Sequence, residues 1–120
     1  MDEKIEFARK GEELVARDLI SKGYTIVARN FSFKRAEIDI IASIGNEIVF
    51  VEVKTRHSAY LTDPSLLVPI SKQKQIIKAA DFFVKEYTPE KEWRFDIVIV
   101  ISNKEYTSIE HITDAYYPFA

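Results

Sequence analysis

The sequence predicts an α/β fold in which a mixed central sheet of four to five strands is flanked by helices, in the order α-β-β-β-α-β-β. Three observations support this prediction. Two segments carry apolar residues at helical spacing, and the segments between and after them alternate or run apolar as strands do. The pair Gly45-Asn46 joins two strand-like segments and is typical of a two-residue hairpin turn. A helix-like segment separates two further strands, which favours a right-handed crossover between parallel strands.

The first helix is predicted from about Asp2 to Lys22, with Gly23 as its C-terminal cap. Glu12 falls on its apolar stripe, where an unpaired buried charge is very costly. Two interpretations are open for this glutamate: an edge position that reaches water, or a role in a functional site. The apolar positions expected to face the core are Ile5, Ala8, Val15, Ala16 and Leu19.

The next strands are predicted at Tyr24–Phe33, Glu37–Ser43 and Glu47–Thr55. A connection from about Arg56 to Pro69 follows, and connections of this length are often binding loops or lids. Because it leaves the strand end that carries Lys54, we expect it to hang over the charged residues there.

A second helix is predicted from Ser71, as its N-cap, to about Tyr87. Lys72 and Lys74 lie in its first turn, where the helix dipole disfavours cations. This placement suits a bound phosphate, because the exposed amides at a helix start favour anions. Two solvated lysines are the simpler interpretation of the same pattern.

The segment Trp93–Ile101 contains a run that is apolar on both faces, which predicts an inner strand. Because a helix precedes it, this strand is expected to lie parallel to the one that bears Glu52. Asp96 is interpreted as lying at the wet end of this strand rather than as a hydrogen-bond acceptor behind a site. The segment Tyr106–Ile112 is predicted to add an edge strand.

The composition fits a single globular domain over residues 1–120, with 47% hydrophobic and 30% charged residues. No apolar stretch approaches the ~20 residues of a membrane span, and the start Met1-Asp2-Glu3-Lys4 does not read as a signal sequence, so a cytoplasmic location is expected. The absence of cysteine excludes disulfides, thiolate catalysis and thiolate zinc sites. A net charge of -2 argues against bulk electrostatic coating of nucleic acid, but it allows a local basic rim. The basic residues that cluster in the middle of the sequence are Lys34, Arg35, Lys54, Arg56, His57, Lys72, Lys74 and Lys78.

The hairpin turn is predicted to set two carboxylates against each other. If Gly45-Asn46 forms the loop, counting outward places Asp39 opposite Glu52. The same count places Glu37 opposite Lys54. Directly opposed side chains have Cβ atoms only ~4.5–5.5 Å apart, where like charges are destabilising. A divalent cation held by both carboxylates would offset the repulsion, since magnesium sites typically combine one or two carboxylates with water and phosphate oxygens.

The alternative is that these carboxylates are solvated charges on the wet face of a sheet. The neighbouring residues weaken that alternative, because the charges gather at the far end of the hairpin only. The face expected to be buried carries Ile38, Ile40, Ala42, Val49, Val51 and Val53. The opposite face starts apolar near the turn and then carries Glu37, Asp39, Glu52 and Lys54.

Several segments together resemble a known group of proteins. The matching stretches are Gly11-Glu12-Glu13-Leu14-Val15-Ala16, Gly23-Tyr24, Ala28-Arg29-Asn30-Phe31, Glu37-Ile38-Asp39-Ile40-Ile41, Val49-Phe50-Val51-Glu52-Val53-Lys54-Thr55-Arg56, Lys72-Gln73-Lys74 and Arg94-Phe95-Asp96. With these, the chain resembles the restriction-endonuclease-like superfamily, and within it the YraN family of small bacterial proteins, which is similar in pattern to archaeal Holliday-junction resolvases. The resemblance implies a restriction-endonuclease-like fold over almost the whole chain.

The resemblance also implies a magnesium-dependent phosphodiesterase site. Carried over to this sequence, Asp39 and Glu52 are metal ligands, and the carbonyl of Val53 is a further one. Lys54 orients or activates the attacking water and stabilises the charged phosphate. Glu12 matches the first-helix glutamate of resolvase-like members. Metal ions assist this reaction by lowering the pKa of bound water and by stabilising charge on the attacking and leaving oxygens.

These roles lead us to expect an endonuclease that uses Mg²⁺ or Mn²⁺ on DNA, with branched or structured DNA suggested by the similarity to resolvases. The alternative is a nuclease-like module that binds DNA or a protein and has little or no activity, because a fold and a motif can persist without catalysis. A homodimer is expected, since a second copy would double a small basic surface and suit a two-strand substrate. One departure from the family pattern is Ala36, where the family usually has glycine. The residues expected to contact nucleic acid are Lys34, Arg35, Arg56, Lys72, Gln73 and Lys74.

Overall fold

The computed structural model describes residues 2–58 and 67–117 of the chain. The helices and strands of this part are α1 (Glu3–Ser21), β1 (Thr25–Phe33), β2 (Ala36–Ile44), β3 (Glu47–Arg56), α2 (Ile70–Tyr87), β4 (Glu92–Ser102) and β5 (Thr107–Tyr116). Their order confirms the predicted α-β-β-β-α-β-β sequence and is consistent with a restriction-endonuclease-like fold. Most of the connection expected to form a lid, residues 59–66, lies outside the described residues.

The five strands form one mixed sheet in the order β1-β2-β3-β4-β5. β3 and β4 are parallel, with Glu52 beside Ile97, and the other neighbouring strands are antiparallel. The predicted parallel crossover through α2 is therefore confirmed. The hairpin register is also confirmed from Ile44–Glu47 to Ile40–Val51, and the turn residue Gly45 has a φ of 55°. A positive φ of this kind is accessible to glycine at little cost, which explains why glycine begins this turn.

Each face of the sheet is covered by one helix. The cluster beneath α2 is rich in aromatic rings, with Phe50 stacked on Phe95 at 5.5 Å and edge-on to Phe83 at 6.1 Å. The cluster beneath α1 is aliphatic and includes Val15, Leu19, Ile40, Ala42, Val49, Val51, Val98 and Val100. Burial of these apolar surfaces on both faces holds the helices against the sheet. No helix in the described part of the chain is both long enough and apolar enough to cross a membrane.

Strand β2 changes faces at Asp39. Ile38 packs in the cluster beneath α2, whereas Ile40 packs in the cluster beneath α1. Residues two apart in a regular strand lie on the same face, so the alternation of β2 is broken between them. The expectation that Ile38 and Ile40 share one buried face is wrong. The irregularity coincides with the end of the β2–β3 ladder at Ile40–Val51.

The ends of helix α1 agree with the prediction, but the exposure of its first turns does not. α1 begins after Asp2, whose carboxylate accepts a hydrogen bond from the Lys4 amide at 2.7 Å, and it ends before Gly23, as expected. Its first turns, however, carry exposed residues, so the prediction that Ile5 and Ala8 face the core is wrong.

Helix α2 starts at Ile70 rather than after Ser71. The Gln73 amide donates to the carbonyl of Pro69 at 2.9 Å, which is a helical hydrogen bond, so Ser71 already lies inside the first turn. The prediction of Ser71 as N-cap is therefore wrong. Proline at this boundary has a preset φ, here −57°, which suits a helix start. The predicted end of α2 at Tyr87 is confirmed.

Candidate active site

The side chain of Asp39 forms a hydrogen bond with strand β3 at the point where the backbone pairing of β2 with β3 ends. Its Oδ2 accepts a hydrogen bond from the Val53 amide at 2.8 Å, two residues beyond the last ladder pair on β3. The carboxylate thereby satisfies a strand amide and lies beside Glu52 and Val53. This contact explains why β2 departs from regular alternation at this residue.

Glu52 is buried and binds two lysines. Its side chain is 7% exposed, and the same oxygen, Oε1, lies 3.2 Å from Lys54 Nζ and 2.7 Å from Lys72 Nζ. Lys54 follows Glu52 by two residues on the same face of β3, and Lys72 comes from the first turn of α2. The two-lysine contact brings a strand and a helix together around one carboxylate. Burial without these cations would be very costly for an ionised glutamate.

Burial raises the pKa of Asp39, and the negative charge of Glu52 raises it further, to about 7. The Val53 hydrogen bond and the Lys72 ammonium oppose this rise, but they do not cancel it. The Asp39 carboxylate is thus buried beside a second carboxylate, an arrangement that a bound cation would stabilise.

Glu12 reaches the same region from α1. Its side chain is half-buried, and its pKa is raised first by burial and then by the charges of Glu37 and Glu52, with Arg29 opposing. Placed in the orientation that satisfies both neighbours, the Asn30 amide nitrogen lies 3.3 Å from a carboxylate oxygen of Glu12 and 3.3 Å from one of Glu37. Of the two interpretations of Glu12, the structure therefore supports a position at the site.

Asn30 is a site residue that the sequence reasoning missed. It occupies the left-handed region with φ 53°, which asparagine tolerates better than most residues. It lies on β1 between the residues that pair with Ile40 and Ile38, that is, beside Asp39 of β2. The only sequence signal was its place in the Ala28-Arg29-Asn30-Phe31 stretch, to which no role was attached.

Gly11 sets the distance between α1 and β3. A Cβ atom at this position would lie 2.0 Å from Thr55 Oγ1 and 3.0 Å from Thr55 Cβ. Only a residue without a side chain fits this approach. Because Gly11 precedes Glu12 and Thr55 follows Lys54, the close contact also fixes how near Glu12 comes to the site.

A cavity of about 950 Å³ opens between the N-terminal half of α1 and the end of β3. Glu12, Val53 and Lys54 lie in its wall, whereas Asp39 and Glu52 do not line it. Farther along, Phe7 and His57 stack with ring centroids 4.2 Å apart. The cavity leaves space beside the site for a ligand of nucleotide size.

The residues predicted to contact nucleic acid divide into three groups. Exposed Lys34 and Arg35 form the β1–β2 turn, five and four residues before Asp39 and at the same end of the sheet. Exposed Arg56 and Lys74 also lie near this end, at the close of β3 and the start of α2. The structure thus gathers these four cations around one end of the sheet, and we call them the basic rim.

The remaining two predicted contacts, Lys72 and Gln73, have partners inside the protein. Lys72 is bound to Glu52, as described. Gln73 is 6% exposed, and its amide donates to the carbonyl of Val68 at 2.8 Å. That bond fixes the segment that enters α2. The Gln73 side chain is therefore buried and is not part of the basic rim.

Asp96 is fully buried, so the interpretation of this residue at a wet strand end is wrong. Arg94 donates to both of its oxygens, at 2.9 and 2.8 Å, and His111 Nε2 lies 2.6 Å from Oδ2. Burial alone would raise the pKa of Asp96, but the hydrogen bonds from His111 and Arg94 outweigh burial and hold this pKa below its usual value. Arg94 also reaches Tyr24 and Glu47. The cluster joins β4 to β5 on the α1 side of the sheet and does not contact Asp39 or Glu52.

The donor set at the site fits a hard divalent cation. Within residues 2–58 and 67–117, no three histidine, cysteine, aspartate or glutamate side chains are grouped to hold a metal together. Magnesium does not require such a group, because it is usually bound by one or two carboxylates completed by water and phosphate oxygens. Asp39 and Glu52 provide the two carboxylates, and the backbone of Val53 lies next to them.

The whole chain is similar to proteins of one bacterial family. The model of the uncharacterised protein family UPF0102 matches residues 11–100. A UPF0102 protein of Christiangramia forsetii is 41% identical over 119 residues, covering 99% of this chain and 100% of the relative. One from Phocaeicola vulgatus is 38% identical over 118 residues, covering 98% of each chain. One from Caldanaerobacter subterraneus is 43% identical over 114 residues, covering 88% of this chain and 90% of the relative. The chain therefore belongs to the UPF0102 family, which is the YraN family indicated by its sequence motifs.

Proposed function

We propose that this protein is a metal-dependent endonuclease that hydrolyses phosphodiester bonds in DNA. The observation that carries the proposal is the meeting of Asp39, Glu52 and Lys54 at one end of the sheet, beside a cavity and a basic rim. Carboxylates for a cation, an ammonium for a phosphate and space for a nucleotide are the parts that this hydrolysis needs.

Asp39 and Glu52 would hold Mg²⁺ or Mn²⁺, with the Val53 carbonyl as a further ligand. When bound, the metal supplies a water of lowered pKa and a positive charge close to the phosphate. Lys54 has a side chain that is 16% exposed and held by Glu52, so its ammonium is fixed in direction before substrate arrives. It would stabilise negative charge that develops on the phosphate. Glu12 would orient water from the cavity side.

The substrate class follows from the basic rim and from the similarity to resolvases. Lys34, Arg35, Arg56 and Lys74 lie at the site end of the molecule and would contact phosphates along a strand. Branched or structured DNA is the proposed target, and a homodimer would give two sites for two strands. A cytoplasmic location, where such DNA occurs, belongs to the same proposal.

Nuclease assays test this function. Purified protein would be incubated with junction, flap, single-stranded and linear DNA in Mg²⁺ or Mn²⁺. Asp39→Ala and Lys54→Ala should lose at least about 100-fold in rate, the scale of a lost electrostatic contact to the transition state. Lys85→Ala is the matched control, because Lys85 is exposed and pairs on the surface with Asp81 at 2.9 Å. Cleavage that survives both site substitutions, or that persists in excess EDTA, would refute the assignment.

A second function, a nuclease-like module that binds DNA or a protein without cutting, is favoured by one observation. Both lysines contact the same oxygen of Glu52, so the charge of this glutamate is already compensated without a metal. A mobility-shift assay on the same substrates separates the two functions. Retarded DNA that stays intact in Mg²⁺ and in Mn²⁺ would favour the binding module.

A further inference from the structure

Two ammonium groups already lie against Glu52 in the metal-free protein. Lys54 Nζ and Lys72 Nζ are 3.2 and 2.7 Å from its Oε1, and Lys72 also lowers the pKa of Asp39. A divalent cation bound by these carboxylates would therefore lie close to two positive charges. Like charges in a partly buried site repel strongly, so one of the cations has reason to leave.

Lys72 occupies a Glu52 oxygen that a metal would also use. Its ammonium donates a hydrogen bond to Oε1 at 2.7 Å, and Lys54 Nζ lies 3.2 Å from the same oxygen in an ion pair. A cation bound to Oε1 would have to share this oxygen with the Lys72 ammonium. Lys72 makes the shorter of the two contacts and therefore competes most directly with such a cation.

The two lysines differ in their freedom to move. The Lys54 side chain is 16% exposed and belongs to strand β3, which lies between β2 and β4 in the sheet. The Lys72 side chain is 41% exposed and comes from the first turn of α2, next to solvent. Lys72 can therefore swing outward with little loss of packing. It would then point toward the basic rim, where a substrate phosphate is expected.

We infer that Lys72 is an internal counter-ion that competes with the divalent cation for Glu52, and that metal binding transfers its ammonium from Glu52 to the phosphate of the substrate. The inference rests on the proposed function, because it requires a metal at Asp39 and Glu52. It adds a positioning role for Lys72 that depends on metal occupancy. Metal and nucleic acid should therefore each raise the affinity of the protein for the other. The metal releases Lys72 for the phosphate, and a phosphate that holds Lys72 leaves Glu52 free for the metal.

Metal titration without DNA tests the competition. Isothermal calorimetry with Mn²⁺, in EDTA-treated protein at low ionic strength, would compare the wild type with Lys72→Met and Lys78→Met. Lys78 is the control because it is an exposed lysine on the same helix, six residues farther on. Lys72→Met should bind Mn²⁺ about ten-fold more tightly than the wild type. Lys78→Met should stay within about two-fold, because charges at that distance are screened by salt.

The outcomes separate this inference from the proposed function. The inference is supported if Lys72→Met binds Mn²⁺ more tightly than both the wild type and Lys78→Met, including the case in which the wild type binds no metal at all. Equal affinity of all three proteins overturns the inference and leaves the proposed function standing. Absence of metal binding in all three overturns both.

A second measurement uses the wild-type protein and does not depend on a variant that folds. Acylation of lysines by an N-hydroxysuccinimide ester, read by peptide mass spectrometry, reports how free each amine is. Adding saturating Mn²⁺ should raise the labelling rate of Lys72 at least three-fold and leave that of Lys78 unchanged. An unchanged Lys72 rate in protein shown by calorimetry to bind the metal would overturn the transfer of the ammonium.

Discussion

Replacing Asp39 by asparagine should stabilise the metal-free protein at pH 8 and change its stability little at pH 4. Burial and the charge of Glu52 raise the pKa of Asp39 from 3.8 to about 7 in the folded protein. Between these values the folded state keeps a proton that the unfolded chain has lost. The free energy of unfolding therefore falls as the pH rises through this window.

The size of the effect follows from the shift. About three pKa units correspond to an upper limit of about 4 kcal/mol lost by the wild type at pH 8. Asparagine removes this loss and keeps an oxygen that can accept from the Val53 amide, now 2.8 Å from Asp39 Oδ2. Asparagine also brings an NH₂ group into this buried position, and a donor left without a partner there costs about 1–2 kcal/mol. We expect a net gain of about 2 kcal/mol at pH 8, or roughly 8 °C in Tm for a domain of this size.

Urea unfolding in EDTA at pH 4, 6 and 8, followed by the fluorescence of the single tryptophan, Trp93, measures this gain. Asp81→Asn is the matched control, because Asp81 is a half-exposed residue in a surface ion pair with Lys85. Its effect should be under about 1 kcal/mol and should show no rise between pH 4 and 8. A less stable Asp39→Asn protein at pH 8, or a gain of equal size at pH 4 and pH 8, would refute the buried, repelling carboxylate.

Three further predictions concern other parts of the fold. Gly11→Ala should destabilise the protein by about 1–3 kcal/mol, because its Cβ would lie 2.0 Å from Thr55 Oγ1. In urea unfolding, adding Thr55→Ala should recover part of this loss, and additive losses from the two substitutions would contradict the clash. Asp96→Ala should cost roughly 3–5 kcal/mol in urea unfolding, because it leaves the guanidinium of Arg94 without its buried partner; a cost below about 1 kcal/mol would show that the cluster does not stabilise the fold. Asn30→Asp should lower Tm at pH 8 but not at pH 4, because the new carboxylate would repel Glu12 and Glu37 only when ionised. A decrease in Tm that does not depend on pH would indicate backbone strain instead.

The order and pairing of elements could be predicted because short-range signals determine them. Gly45-Asn46 set the hairpin register, and the observed pairs from Ile44–Glu47 to Ile40–Val51 follow it without a shift. The apolar run after the second helix-like segment predicted β4 beside β3 because a crossover helix connects parallel strands. These features depend on spacing within a few residues, which a single sequence displays.

The errors arose where a side chain replaces a backbone contact. Alternation assumes a regular strand, but the Asp39 carboxylate bonds the Val53 amide and β2 changes faces there. Asp96 was misplaced because its partner His111 becomes a neighbour only after β4 and β5 pair, although Arg94 lies just two residues away on the same strand. A pairing between distant segments has no signature in the spacing of either one.

Asn30 could not be predicted for a related reason. Its approach to Glu12 depends on a left-handed backbone conformation in the middle of a strand, which no residue pattern announces. The contact of Lys72 with Glu52 was likewise hidden, because it depends on how α2 returns across the sheet. The sequence suggested that Lys72 contacts nucleic acid, but not that it already binds Glu52.

The face change at Asp39 has a geometric consequence for any ligand. Glu12 belongs to the helix on one face of the sheet and Lys72 to the helix on the other, yet both act on the carboxylates where β2 and β3 separate. A molecule that touches all of them cannot lie flat on either face. It has to arrive end-on, along the strand axis, so the sheet would present its tip to such a ligand rather than its broad side.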